Sequence, residues 1–200
     1  MPSNTFAPTR RSLILGAAAV AALPRAALAF DVNTARQMID RAIGEVNATI
    51  NSGKSESAMF VDFERIFVRY ADVPTIARSA LGVAARSTPD AQMRAFTTAF
   101  QGYISRKYGR RFREFIGGRI EVTDAKPLKN YFEVVSVAYL QGEPPFDLRW
   151  HVAERGGKPM FFNIIIEGVN MLATERTEIG AMLDRRRGDV NALIEDLKRT

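Results

Sequence analysis

The glycine pair Gly117-Gly118 divides this chain into two hydrophobic periodicities. Before it, apolar residues recur every three or four positions. After it, they recur every second position. The first spacing puts a stripe on one side of a helix, and the second puts a face on one side of a strand. The chain must therefore pack an early helical block against a later sheet.

Residues 34–51 carry Met38, Ile39, Ala42, Val46 and Ile50, an apolar stripe on an amphipathic helix. Residues 57–70 repeat the pattern with Phe60, Phe63, Phe67 and Tyr70. Asp72 and Pro74 open a short helix that reaches Leu81 and ends at Gly82. Thr88-Pro89-Asp90 starts the next helix, with Thr88 as the expected N-cap. That helix is expected to run to about Phe115. Phe96, Phe100, Ile104, Tyr108, Phe112 and Phe115 recur almost every four residues along it, giving one long aromatic face.

Beyond the glycine pair, four strands are expected over residues 119–126, 131–140, 146–154 and 160–167. Asn130, Gly142-Glu143-Pro144-Pro145 and Gly156-Gly157-Lys158-Pro159 supply the turns. Such short connections give an antiparallel meander. In the third strand Phe146, Leu148, Trp150 and Val152 share a face, and Arg149 and His151 share the other. The fourth strand is apolar on both faces. Helices over about 174–187 and 190–198, separated by Gly188 and capped by Asp189, complete an α+β chain with helices at both ends of a four-stranded antiparallel sheet.

The first 29 residues read as a segment apart. Arg10 and Arg11 precede an apolar run of 11 residues, Leu13 to Leu23. A bilayer core needs about 20 such residues, so this run fits the h-region of an export signal. Ala27-Leu28-Ala29 has the small-x-small form of a cleavage site, and the paired arginines resemble a twin-arginine signal. An ordinary secretory signal with two arginines is the alternative. The expected organisation is a cleaved signal, 1–29, and a single domain, 30–200, released into the periplasm. There is no cysteine, hence no disulfide, no thiolate metal site and no lipid-attachment point. The signal holds three arginines and no acid, so cleavage takes the net charge from +6 to +3. Nucleic-acid binding needs a stronger basic footprint than that.

Catalytic patterns are sparse. His151 is the one histidine, so a Ser-His-Asp arrangement has little to draw on, and its strand position fits a solvent-side residue. Gly156-Gly157-Lys158 lacks phosphate-loop spacing. Glu64 with Asp62, and Glu175 with Glu178, are conceivable acid–base pairs, although such charges on helix surfaces are ordinarily solvated. No enzyme, no metal site and no cofactor are expected; a small α+β enzyme that acts on an apolar substrate through such a carboxylate is the alternative. The most basic run, residues 106–113, would show Arg106, Arg110 and Arg113 on one helical face. That face reads either as a solvated rim or as a patch for anionic headgroups or an acidic partner.

Four stretches together are family-like: Leu81-Gly82 followed by Arg86; Thr88 to Gln92 leading through Phe96, Phe100 and Tyr108; Ile166-Glu167-Gly168-Val169-Asn170; and Gly188 to Leu197. In this order they resemble the MlaC family, also called the toluene-tolerance or ABC-transporter auxiliary family. Departures from its pattern fall at Ala85, at 159–163 and at Asn170.

The resemblance implies a periplasmic phospholipid carrier, with bound phospholipid as ligand. Its implied partners are an inner-membrane ABC transporter's lipid-binding component and an outer-membrane lipoprotein–porin complex, and its implied role is to maintain outer-membrane lipid asymmetry. A hopanoid-associated branch leaves a polycyclic lipid open. The implied fold holds acyl chains in an apolar pocket between sheet and helices. The expected walls are then Phe96, Phe100, Ile104, Tyr108 and Phe112 from the long helix, and Val134, Leu148, Trp150, Phe162, Ile164 and Ile166 from the sheet. Val169 and Met171 are expected at the mouth, and Arg106, Arg110 and Arg113 at the headgroup or partner. Each apolar residue here fits a filled core equally well, because a solid and a hollow interior have the same periodicity.

Overall fold

The computed structural model describes residues 30–200, apart from the side chains of 111–113. The expected signal, 1–29, and the side chains of Phe112 and Arg113 therefore lie outside the described residues.

Three helices come first: α1 (Val32–Ile50), α2 (Glu56–Tyr70) and α3 (Val73–Leu81). Each starts on a side chain that accepts a backbone N–H otherwise left unpaired in the first turn: Asp31 from Thr34, Ser55 from Ala58, and Asp72 from Thr75. Gly82, at φ +66°, ends α3 in a conformation that favours glycine, and a 3-10 turn carries the chain to Arg86.

Helix α4 spans Asp90–Gly109 and so ends earlier than its aromatic repeat predicts. A 3-10 segment, Arg110–Phe115, follows and breaks the single face that the spacing implied. Thr88 is not the N-cap: its hydroxyl donates back to the Ala84 carbonyl at 2.8 Å, and Pro89 occupies the cap position without a side-chain bond.

The sheet runs β1 (Arg119–Leu128), β2 (Tyr131–Tyr139), β3 (Phe146–Arg155), β4 (Lys158–Ile166) and β5 (Val169–Asn170), in that spatial order and antiparallel throughout. It has five strands where the periodicity predicts four. Glu167 and Gly168 both take positive φ, 48° and 81°, as a two-residue hairpin turn requires. The chain then doubles back for two residues, too few to show any alternation. Asn170 closes this short strand and caps α5 (Met171–Arg185), accepting the Ala173 N–H at 3.1 Å. Helix α6 (Val190–Arg199) starts on Asp189 as expected. No helix among the described residues is long and apolar enough to cross a membrane.

Packing divides the helices into two groups. Helix α1 lies along the sheet, chiefly against β1. Its Asn47 amide donates to the Ile120 carbonyl and accepts the Ile120 N–H, both at 3.1 Å, so one side chain serves the edge of β1 as a neighbouring strand would. Helix α4 instead packs on α2, α3 and α6. Phe96 and Phe100 are fully buried on it, with ring centroids 5.8 Å apart. At its far end, Arg106 donates to the Leu197 carbonyl at 2.5 Å and Arg110 to the Thr200 carbonyl at 3.2 Å. Both cations thus satisfy the C-terminal end of α6, where the helix dipole favours positive charge.

Candidate functional site

A cavity of about 680 Å³ lies between the sheet and the first two helices. Ala42, Ile43 and Val46 of α1 and Phe63, Ile66 and Phe67 of α2 form one wall. Ile120, Leu148, Trp150, Phe161, Ile164 and Ile166 of the sheet form the facing one. Ile104 and Tyr108 of α4 and Met171, Leu172 and Glu175 of α5 close the sides. The strand residues share this face because the period is two: Leu148 pairs with Ile166 and Trp150 with Ile164 across β3 and β4. Trp150 is held by its indole N–H, which donates to the Ser136 hydroxyl at 2.8 Å, and by an edge-to-face contact with Phe161 at 5.3 Å. Its ring is a fixed wall.

Exposed residues form the mouth: Glu114 from the 3-10 segment, Gln141, Glu143 and Pro144 from the loop between β2 and β3, and Glu167 from the β4–β5 turn. Phe115 and Phe146 meet edge to face beside them at 6.3 Å.

Of the expected wall residues, Ile104, Tyr108, Leu148, Trp150, Phe162, Ile164, Ile166 and Met171 line this cavity. Phe96, Phe100, Val134 and Val169 are not among the lining residues. The two phenylalanines face the helical core, because α4 packs on helices rather than across the sheet. Val134 is fully buried, and Val169, on β5, is exposed to solvent. Arg106 and Arg110 lie at the end of α6 and not at the mouth. The wall from α1 and α2 has no counterpart among the expected site residues. Ala42, Val46, Phe63 and Phe67 do stand on the apolar stripes of their helices, but a stripe has the same form whether it meets side chains or open space.

One polar cluster interrupts the apolar lining. Glu175 is buried, 3% exposed, although it belongs to a carboxylate pair whose spacing suits a solvated surface. Lys107 Nζ donates to Glu175 Oε1 at 2.7 Å and also to Glu178. The Tyr108 hydroxyl donates to Glu175, and the Tyr103 hydroxyl donates to Glu178 at 2.5 Å. Burial, reinforced by these carboxylate bonds, pushes both phenols well above their ordinary value, so they act as donors throughout the accessible pH range. Burial alone would raise the Glu178 carboxyl, but hydrogen bonds from Lys107 and Tyr103 outweigh it and hold that group low. The cluster ties α4 to α5 across one side of the cavity.

His151 is not a solvent-exposed strand residue. It is 9% exposed, with the Tyr131 and Phe162 rings beside it and Nε2 3.6 Å from the buried Glu133. Burial lowers its pKa, and Glu133 opposes that shift only in part. Among the described residues, no three or more His, Asp or Glu side chains converge as metal ligands.

A family model described as MlaC protein matches residues 36–199. The chain belongs to the MlaC family. A solved structure similar to it is that of the phospholipid-binding protein from Ralstonia solanacearum in complex with a phospholipid. The two share 19% identity and a TM-score of 0.71, over 82% of this chain and 95% of that one. The likeness is therefore one of fold, and it places the MlaC sheet-and-helix arrangement on this sequence. The Ile166-to-Asn170 stretch has a clear structural task within that MlaC arrangement: a wall residue, a hairpin turn at the mouth, a short returning strand and the cap of α5.

Proposed function

We propose that this protein is a phospholipid carrier of the periplasm. In this reading residues 1–29 direct export and are removed, and the domain from 30 onward carries lipid. It moves that lipid between an outer-membrane lipoprotein–porin complex and the lipid-binding component of an inner-membrane ABC transporter, which maintains outer-membrane lipid asymmetry.

The observation that carries the proposal is the apolar cavity of about 680 Å³ between sheet and helices, with exposed residues at its mouth. Its size lies within the ~300–1,000 Å³ usual for sites that enclose a small molecule. Bringing a lipid tail into water costs about 0.8 kcal/mol per methylene, so a tail of about 14 methylenes meets a barrier on the order of 11 kcal/mol. A cavity lined mainly by Ile, Leu, Val, Phe and Trp removes most of that cost. Exchange with a bilayer is then near neutral, and direction comes from the partners.

The proposal is tested by transfer. Purified protein, added between donor vesicles with labelled phospholipid and acceptor vesicles without it, should move label with no nucleotide present. Immobilised transporter component should capture lipid-loaded protein and release it empty. Absence of transfer at any protein concentration would overturn the carrier reading. Extraction of a polycyclic lipid in place of phospholipid would redirect it to the hopanoid branch.

A further inference from the structure

The cavity has a closed end as well as a mouth. Exposure falls from one to the other along the two central strands. Gln141 to Pro145 and Glu167 are exposed, Phe146 is half-buried, and Leu148 and Phe161 are buried. At the buried end α2 gives way to α3, and that junction is stitched to β4. Ala71 pairs with Phe161 in an isolated parallel bridge, and the Asp72 N–H donates to the Phe161 carbonyl at 2.8 Å. Asp72 is itself buried, and its carboxylate serves both layers. One oxygen caps α3 through the Thr75 N–H at 3.1 Å, and the other accepts from Arg155 Nε of β3 at 2.9 Å. Side chains complete this floor. The Phe67 and Phe161 rings lie 6.2 Å apart, and Ile76 joins the lining from α3.

Strand geometry gives the depth. A strand advances about 3.3 Å per residue, so Phe146 at the mouth and Val152, the partner of Phe161, stand roughly 20 Å apart. An extended methylene chain, with C–C bonds of about 1.5 Å at about 111°, advances roughly 1.25 Å per carbon, so a tail of about 16 carbons spans that depth.

We infer that the floor formed by Phe67, Phe161 and Ile76 is a ruler that sets the longest acyl chain this protein carries. The inference rests on the carrier reading above and specifies its cargo. A tail that fits exchanges one apolar surrounding for another, so its length is immaterial up to the limit. A longer tail must leave methylenes in water at the mouth or part the α2–α3 junction from Phe161 and Arg155. The carrier reading needs apolar walls and a mouth. A floor fixed by main-chain and carboxylate bonds adds a length limit to them.

The test uses delipidated wild-type protein and vesicles of one fluid phosphatidylglycerol host. The vesicles carry small, equal amounts of phosphatidylglycerols with saturated tails of about 12 to about 22 carbons, on either side of the expected limit. Loaded protein is re-isolated, and its lipid is extracted and compared with the vesicle composition. The protein-to-vesicle ratio should stay level up to about 16 carbons. It should then fall about fourfold for each methylene held out, the equivalent of about 0.8 kcal/mol. Ile76→Ala and Phe67→Ala should move the limit to longer tails, and Ile76→Phe should move it to shorter ones. Opposite shifts at one position separate a ruler from a general loosening of the fold. A wild-type ratio with no break at any length overturns the ruler and leaves the carrier reading standing. A break that none of the folded variants moves overturns its assignment to this floor. No uptake at any length overturns both readings. The wild-type profile decides whether a limit exists even where a variant does not fold.

Discussion

Two apolar regions of this molecule use the same residue types and differ in what fills them. In the helical core, Phe96 and Phe100 of α4 are fully enclosed, and their rings stack. Between α1, α2 and the sheet, Phe63, Phe67, Trp150 and Ile164 face about 680 Å³ of open space. A side chain in the first region has partners on every side. One in the second lacks them on the cavity side and forfeits that dispersion energy. The difference comes from architecture. Helix α4 packs helix on helix, whereas α1, which meets the sheet chiefly at β1, and α2 leave space over β3 and β4, with Ala42 on the facing stripe. The solid region supplies stability, and the hollow one gives up some of it to make room for a guest.

The largest expected effect follows directly. Phe100→Ala should lower unfolding free energy by about 3–5 kcal/mol, whereas Ile164→Ala in the cavity wall should cost under about 2 kcal/mol. Urea titration of delipidated protein measures both, and equal losses would mean that the two regions are packed alike. Ala42→Trp sharpens the same contrast. A ring added to a solid core would strain it, but one added to open space should leave delipidated stability within about 1 kcal/mol and abolish lipid loading.

Lys107→Ala comes next. It strips the cation from a buried carboxylate, and because Lys107 itself is partly exposed, the cost should be about 2 kcal/mol, below the 3–5 of a fully buried pair. Thermal unfolding of the variant checks this, and a change near zero would show that Glu175 does not depend on Lys107.

The smallest effect is the pH dependence set by His151. Burial favours its neutral form, so the folded state binds a proton less readily than the unfolded chain. Its contribution to stability is present above about pH 6.5 and is lost as pH falls from there through the depressed folded-state value. H151Q should lose less stability than the parent between neutral and mildly acid pH. Parallel profiles would remove His151 from the account.

The strands, their order and the Gly156-Gly157 turn are legible in the sequence because period-two alternation and paired glycines have few other solutions. The two-residue β5 is not, since a strand of that length has no period. The break of α4 at Gly109 is hidden because the aromatic spacing continues past it. A Cβ at Gly109 would come within 2.7 Å of the Phe60 ring, a close approach that only the folded packing reveals. The site is half legible for one reason. Periodicity shows which side chains turn inward, as with Ile104, Trp150 and Ile166, but not whether anything meets them there. Glu175 was the hardest to read, because a helical carboxylate with Glu178 three residues on has the pattern of a solvated surface.

The central claim is that the space between sheet and helices holds lipid. Native mass spectrometry of protein purified from the exporting cell tests it most directly. The account predicts a mass above that of the mature chain by one bound lipid, lost after organic extraction. Native and extracted samples of identical mass would contradict it.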